Sequence, residues 1–112
     1  MARASKQDET GDPEGLVEKA KALDPLLRAE AAKGEGLARL TDATIDALHD
    51  AGLMHMWVPR QYGGAELWPI ESLKVIEALS YADGSTGWVQ MASQLSTGTG
   101  AAYVPPAAAD AL

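Results

Sequence analysis

The sequence predicts an all-α, up-and-down helical domain. Three observations carry that prediction. Apolar residues recur at spacings of three and four through most of the chain. Helix punctuation stands at the ends of those stretches, with Thr41 and Pro69 at starts, and Gly52 and Pro105-Pro106 at stops. A hydrophobic content of 46% supplies enough apolar surface for one core in 112 residues.

Residues 1–14 are polar, charged and rich in Gly, Pro and Asp, the composition of a loose arm, and the domain is expected over 15–112. From Leu16, a stripe of Leu16, Ala20, Leu23, Leu27 and Ala31 marks a helix with charged residues off the stripe. Pro25 predicts a kink or break near Asp24, because an interior proline costs a helix roughly 3 kcal/mol. Lys33-Gly-Glu-Gly36 is expected to end the segment.

The next helix is signalled at both ends. Thr41 is the N-cap, Leu40 and Ile45 occupy the two positions of a hydrophobic staple, and Asp42 suits the first turn. Gly52 stands at the left-handed position past the last turn, with Leu53 packing back on Leu48. Residues 54–59, MHMWVP, read as a short extended run. Arg60 to Gly64 reads as a turn whose paired glycines imply positive φ or close backbone contact.

Pro69 opens a further helix, with Ile70, Leu73, Ile76 and Leu79 as its expected buried stripe, widened by Val75 and Ala82. Asp83 or Ser85 caps a helix over Ser85 to Ala102, and AAADAL begins another. A domain seldom stops two turns into a new helix, so the chain is expected to be the front part of a longer protein.

Charge and composition exclude several functions. A net charge of −7 argues against nucleic-acid partners and anionic membrane surfaces. The absence of cysteine removes disulfides, thiolate metal sites and a Cys nucleophile, and makes a cytoplasmic location the expectation. No segment resembles a signal peptide or a transmembrane span.

Motifs for catalysis are missing as well. Gly98-Thr-Gly100 resembles the start of a dinucleotide fingerprint, but Tyr103 stands in place of the third glycine and no strand precedes it. Gly84-Ser-Thr-Gly87 lacks the spacing of a nucleophile elbow. His49 and His55 do not have zinc-ligand spacing, and the dispersed carboxylates name no general base. Neither a catalytic residue nor a metal site is assigned.

One stretch stands apart: from Gly84 to Ala109 the chain carries no charge. Small residues there suit the centre of a core. Yet Trp88, Gln90, Ser93, Gln94, Ser96 and Thr97 bring many polar groups, each costing ~1–3 kcal/mol if buried without a partner. A pocket wall for a flat aromatic ligand accounts for them better than a phosphate or metal site.

The order of Ala51-Gly52-Leu53, Val58-Pro59, Tyr62-Gly63-Gly64 and Ala82 to Val89 resembles the N-terminal helical domain of the acyl-CoA dehydrogenase superfamily, over about Leu16 to Leu112. Within it, Asp83-Gly-Ser-Thr-Gly-Trp88 is more similar to the two-component flavin-dependent monooxygenases than to the dehydrogenases. The resemblance implies a complete protein with a middle β domain, a C-terminal helical bundle and a tetrameric assembly. Its cofactor would be a flavin, FMN or FAD, with reduced flavin supplied by a separate reductase for oxygenation of an aromatic or similarly activated small molecule. An acyl-CoA dehydrogenase using FAD is the alternative, and a non-catalytic helical interaction domain is the second. By the same resemblance Ser85, Thr86 and Trp88 border the flavin, while Trp88, Ala92 and Ser96 face the substrate. Relatives often carry His or Asn near Ser96, so a serine there weakens the case for an acid or base at that position. Arg60, Tyr62, Gly63 and Gly64 are structural in this reading.

Overall fold

A computed structural model of the chain describes residues 13–111, apart from the side chain of Ala109. The expected arm therefore falls outside the described residues except at its end, where Pro13 and Glu14 already belong to a helix. Six α-helices and no strand occur among the described residues: α1 (Pro13–Ala22), α2 (Asp24–Leu37), α3 (Asp42–Asp50), α4 (Pro69–Ala82), α5 (Gly84–Tyr103) and α6 (Pro106–Ala111). The all-α expectation holds. Two 3-10 turns, Leu53–His55 and Arg60–Tyr62, fill the link between α3 and α4.

The break at Pro25 is present. Leu23 alone separates α1 from α2, and Pro25 sits in the first turn of α2, where its missing N–H is not needed. The stop at Lys33-Gly36 is not present: α2 runs through both glycines to Leu37 and ends on Ala38 at φ 56°. The amides of Ala38 and Arg39 close back on the carbonyls of Glu35 and Gly34. Gly34 is needed inside the helix because a Cβ there would stand 2.9 Å from the Arg39 carbonyl oxygen. Left-handed backbone costs alanine roughly 1 kcal/mol. Ala38→Gly, at an exposed site, is therefore expected to raise stability by about 1 kcal/mol in urea denaturation.

α3 has the predicted ends. The Thr41 hydroxyl accepts the Thr44 N–H at 3.3 Å. Gly52 adopts φ 76°, and its amide donates to the His49 carbonyl at 3.0 Å. No atom lies within 4 Å of a Cβ built on Gly52, so a substitution there meets only backbone strain. Gly52→Val is expected to cost ~1–2 kcal/mol, read as a lowered denaturation midpoint with an unchanged m-value.

The segment read as extended from 54 to 59 is instead a 3-10 turn followed by bends. No neighbouring strand competes for it. Its carbonyls at His55, Met56 and Val58 accept the amides of Ala65, Leu67 and Glu66, and other partners of its backbone come from α5. The two adjacent glycines divide their work. Gly63 takes φ 85°, while Gly64 is buried against Val58. Arg60 is held by Glu66, whose carboxylate accepts from the Arg60 backbone amide at 3.1 Å and pairs with its guanidinium at 3.2 Å.

The core gathers α1, α2, α3, α4 and the linker, with Leu27, Leu48, Leu53, Met56, Val75 and Leu79 almost fully enclosed. On α4 the expected stripe is corrected. Ser72, Val75, Leu79 and Ala82 are buried, Ile76 is half-buried, and Ile70 and Leu73 are 66% and 52% exposed. The cause is register: Ser72, Val75, Leu79 and Ala82 follow at spacings of three, four and three, and that face, not the one through Ile70 and Leu73, meets the core. The Trp57 indole N–H donates to the Ser72 hydroxyl at 2.6 Å, and that hydroxyl donates to the Pro69 carbonyl at 2.7 Å. The linker thus lies over Ser72, and Ile70 and Leu73 fall outside the face it covers.

Candidate functional site: the two faces of the uncharged helix

α5 starts one residue before Ser85 and ends one residue past Ala102. Asp83 is its cap: one carboxylate oxygen accepts the Thr86 amide at 3.2 Å and the Thr86 hydroxyl at 2.6 Å. The helix packs along α4 and, further on, against the turn at Leu53–His55.

Its inward face is Thr86, Gly87, Gln90, Gln94 and Gly98. Two glycines allow close approach: a Cβ on Gly87 would meet the Ser80 side chain, and one on Gly98 would stand 2.7 Å from Trp57 Cβ. The two glutamines are fully buried. Gln94 Oε1 accepts the amides of Met56 at 2.8 Å and Trp57 at 3.3 Å, and Gln94 Nε2 donates to the Leu53 carbonyl at 3.2 Å. Gln90 Nε2 donates to the same carbonyl. Both glutamines thus serve the core side of the helix and not a pocket wall, which corrects their reading from sequence. Ser93 and Thr97 are half-buried, and Thr97 returns its hydroxyl to the Ser93 carbonyl at 2.8 Å.

The outward face carries Ser85, Trp88, Val89, Ala92, Leu95 and Ser96, all exposed, with Trp88 at 68%. Of the residues the resemblance assigned to ligands, only Thr86 faces inward, its hydroxyl committed to Asp83. The others separate into two depressions. Ser85 and Trp88 line one of about 510 Å³, between the start of α5 and the α2–α3 corner, with Glu30, Arg39 and Asp83 at its edge. Ala92 and Ser96 line a second, of about 340 Å³, whose far wall is His49, Met54 and His55. Eight residues of helix separate Trp88 from Ser96, about 12 Å along the axis. Ser96 and His55 also line a third depression, of about 720 Å³, with Tyr62 and Asp110.

Two of the charges at the first depression, Arg39 and Glu30, are already partnered. Arg39 pairs with Asp42 at 2.6 Å and donates to the Leu40 carbonyl at 2.9 Å. Lys33, and then the Thr41 hydroxyl, hold the Glu30 carboxyl below its ordinary range. No Lys or Arg occurs on α5. The wall formed by His49, Met54 and His55 escaped sequence reasoning. The Gly52 turn folds the chain back over the end of α3, bringing the two imidazoles to 6.4 Å between ring centres at 58°. A six-residue spacing carries no sign of that return. Among the described residues no group of three or more His, Cys, Asp or Glu could hold a metal ion. No described helix is long and apolar enough to cross a membrane.

Comparison with known proteins adds to this geometry. The chain is 37% identical over 68 residues to a flavin-dependent monooxygenase, oxygenase subunit HsaA, of Rhodococcus jostii, covering 61% of this chain and 18% of the relative. It is 39% identical over 67 residues to the protein of the same name from Mycobacterium tuberculosis, covering 60% of this chain and 17% of that one. It is also 39% identical over 77 residues to an indole-3-acetate monooxygenase of Acinetobacter baumannii, covering 64% of this chain and 20% of the relative. The chain thus spans about a fifth of the length of the curated relatives it matches. No solved structure gives a significant match. Residues 19–104, the helices from within α1 to the end of α5, match the family described as acyl-CoA dehydrogenase, N-terminal domain. With the match running over most of an all-α chain, the protein belongs to the acyl-CoA dehydrogenase N-terminal domain family.

Proposed function

We propose that this chain is the N-terminal helical part of a flavin-dependent oxygenase, the oxygenase component of a two-component monooxygenase that acts on an aromatic or similarly activated small molecule. The carrying observation is the outward face of α5: an exposed indole on a helix without a charge, flanked by two separate depressions. The names of the three relatives above support the same reading.

The donor set suits part of a flavin and not all of it. An exposed indole and small hydroxyls fit the edge or face of a flat, neutral ring. A phosphate needs cations or unpaired amides, and the nearest arginine, Arg39, is committed to Asp42. FMN or FAD would therefore meet this domain through its ring, with its phosphate held by other parts of the complete protein. When bound, the flavin supplies the oxygen-activating redox chemistry, and this chain contributes shape and exclusion of water.

In this reading Ser85 and Trp88 border the flavin, and Trp88, Ala92 and Ser96 border the substrate. The Ser96 hydroxyl donates to the Ala92 carbonyl at 3.1 Å, so its oxygen is left to accept from a donor on the substrate. It positions and does not carry a proton away. Ser96→Ala in the complete enzyme is expected to raise KM several-fold, with flavin affinity unchanged in a fluorescence titration. A cytoplasmic tetramer served by a separate flavin reductase completes the proposal.

The deciding experiment uses the complete protein with enzymatically reduced FMN or FAD, O₂ and a panel of phenols and indoles. Hydroxylated product coupled to O₂ uptake is expected. The alternative is an acyl-CoA dehydrogenase, favoured by the family description itself. Anaerobic bleaching of bound flavin by a fatty acyl-CoA would establish that reading and end the first.

A further inference from the structure

Gln94 faces away from both depressions, yet one of them takes its shape from it. From a fully buried position it satisfies three backbone groups of a single turn: the carbonyl of Leu53 and the amides of Met56 and Trp57. That turn carries Met54 and His55, the wall opposite Ser96. Ser96 lies two residues beyond Gln94 on the same helix. The wall and the residue it faces are therefore both referred to α5, one directly and one through the length of a glutamine side chain.

The side-chain partners of these groups come from α5. The Leu53 carbonyl has Gln90 and Gln94, and the Met56 amide has Gln94. Apolar packing of Leu53 and Met56 fixes depth in the core, but it is non-directional and does not fix rotation about the turn. Directional bonds do. A primary amide is the side chain that accepts from two N–H groups and donates to a carbonyl while remaining neutral in a dry core.

We infer that Gln94, assisted by Gln90, is a positioning residue for the second depression, setting the distance between the His55–Met54 wall and Ser96 and hence which substrates fit there. Its bearing on substrate rests on the oxygenase reading; its bearing on the wall does not.

The test reads the wall first, on this chain, by NMR. Gln94→Leu keeps the approximate volume and removes all three bonds. Amide exchange at Met56 and Trp57 is expected to quicken about tenfold or more. Cross-peaks between the His49 and His55 rings should weaken, while helical content stays that of the parent. Gln94→Glu supplies the distinguishing readout. The introduced carboxyl, raised by burial, donates to Leu53 only when protonated. The bond to Leu53, and with it the cross-peaks between the His49 and His55 rings, should therefore be lost near pH 8 and recovered near pH 5, whereas the amides of Met56 and Trp57, from which a carboxylate still accepts, should stay protected. The parent chain is followed at both pH values as the control. Unchanged exchange and ring contacts in Gln94→Leu would overturn the inference, as would absence of acid recovery in Gln94→Glu. If Gln94→Leu does not fold, the Glu variant alone decides.

The complete oxygenase then separates the two ideas. With an aromatic substrate that it turns over, Gln94→Leu is expected to raise KM about tenfold while flavin affinity holds. A displaced wall with an unchanged KM would sink the assignment of this depression to substrate, and leave the glutamine's hold on the turn standing.

Discussion

Gly64→Ala is expected to destabilise the chain by about 3 kcal/mol, the upper range for overpacking a close contact. A Cβ at Gly64 would stand 2.0 Å from the Val58 carbonyl oxygen and 2.4 Å from Val58 Cβ. Neither atom can swing away as the end of a flexible side chain does. The Val58 carbonyl accepts the Glu66 amide at 3.1 Å, and the Gly64 amide donates to Pro59 at 3.2 Å, so relief of the clash breaks bonds on both sides of the linker. Glu66 itself sits at φ 52°, a conformation that those bonds sustain. The measurement is thermal denaturation, with a fall in Tm of at least ~10 °C. Gly63→Ala is the control. It carries φ 85° but has no atom within 4 Å of its Cβ, and should cost only about 1 kcal/mol. Equal effects at the two positions would refute the close approach at Gly64.

Trp88→Ala carries the largest expected effect on ligands. The indole is 68% exposed, so truncation removes little packing and should move the Tm of this chain by no more than a few degrees. In the complete protein the same change should weaken flavin or substrate binding about tenfold or more, since stacked aromatic pairs contribute ~0.5–1.5 kcal/mol beyond the area they bury. Isothermal titration of oxidised flavin, compared with Trp88→Phe, provides the readout. A lowered Tm with unchanged ligand affinity would make the residue ordinary packing.

The parts of the fold legible in sequence are those decided within a turn or two of chain. Pro25, Thr41, Gly52 and Asp83 each act through their own φ angle or a side chain reaching three residues on, and each marks the boundary it was expected to mark. What escaped was decided between distant segments. Ile70 and Leu73 face outward because the buried face of α4 runs through Ser72, to which Trp57, fifteen residues earlier, donates. At Gly34 the chain returns so closely over α2 that a glycine is required inside the helix. Gln90 and Gln94 point inward because a turn some forty residues earlier offers them backbone groups.

The candidate site was legible to a similar depth. Periodicity and the lack of charge placed Ser85, Trp88, Ala92 and Ser96 on one helix, and the structure exposes all four on it. Nothing local could reveal that they divide between two hollows. Their opposite walls come from the α2–α3 corner and from the turn after Gly52.

One contact bears on motion. At Gly87 the backbone of α5 comes so near Ser80 of α4 that even a methyl group would not fit. Trp88 is the very next residue. Its ring, 68% exposed, can swing about the side-chain torsions within nanoseconds, while the helix beneath it has no room to move closer to α4. Whatever rests on that ring will find a restless cushion on an immobile frame.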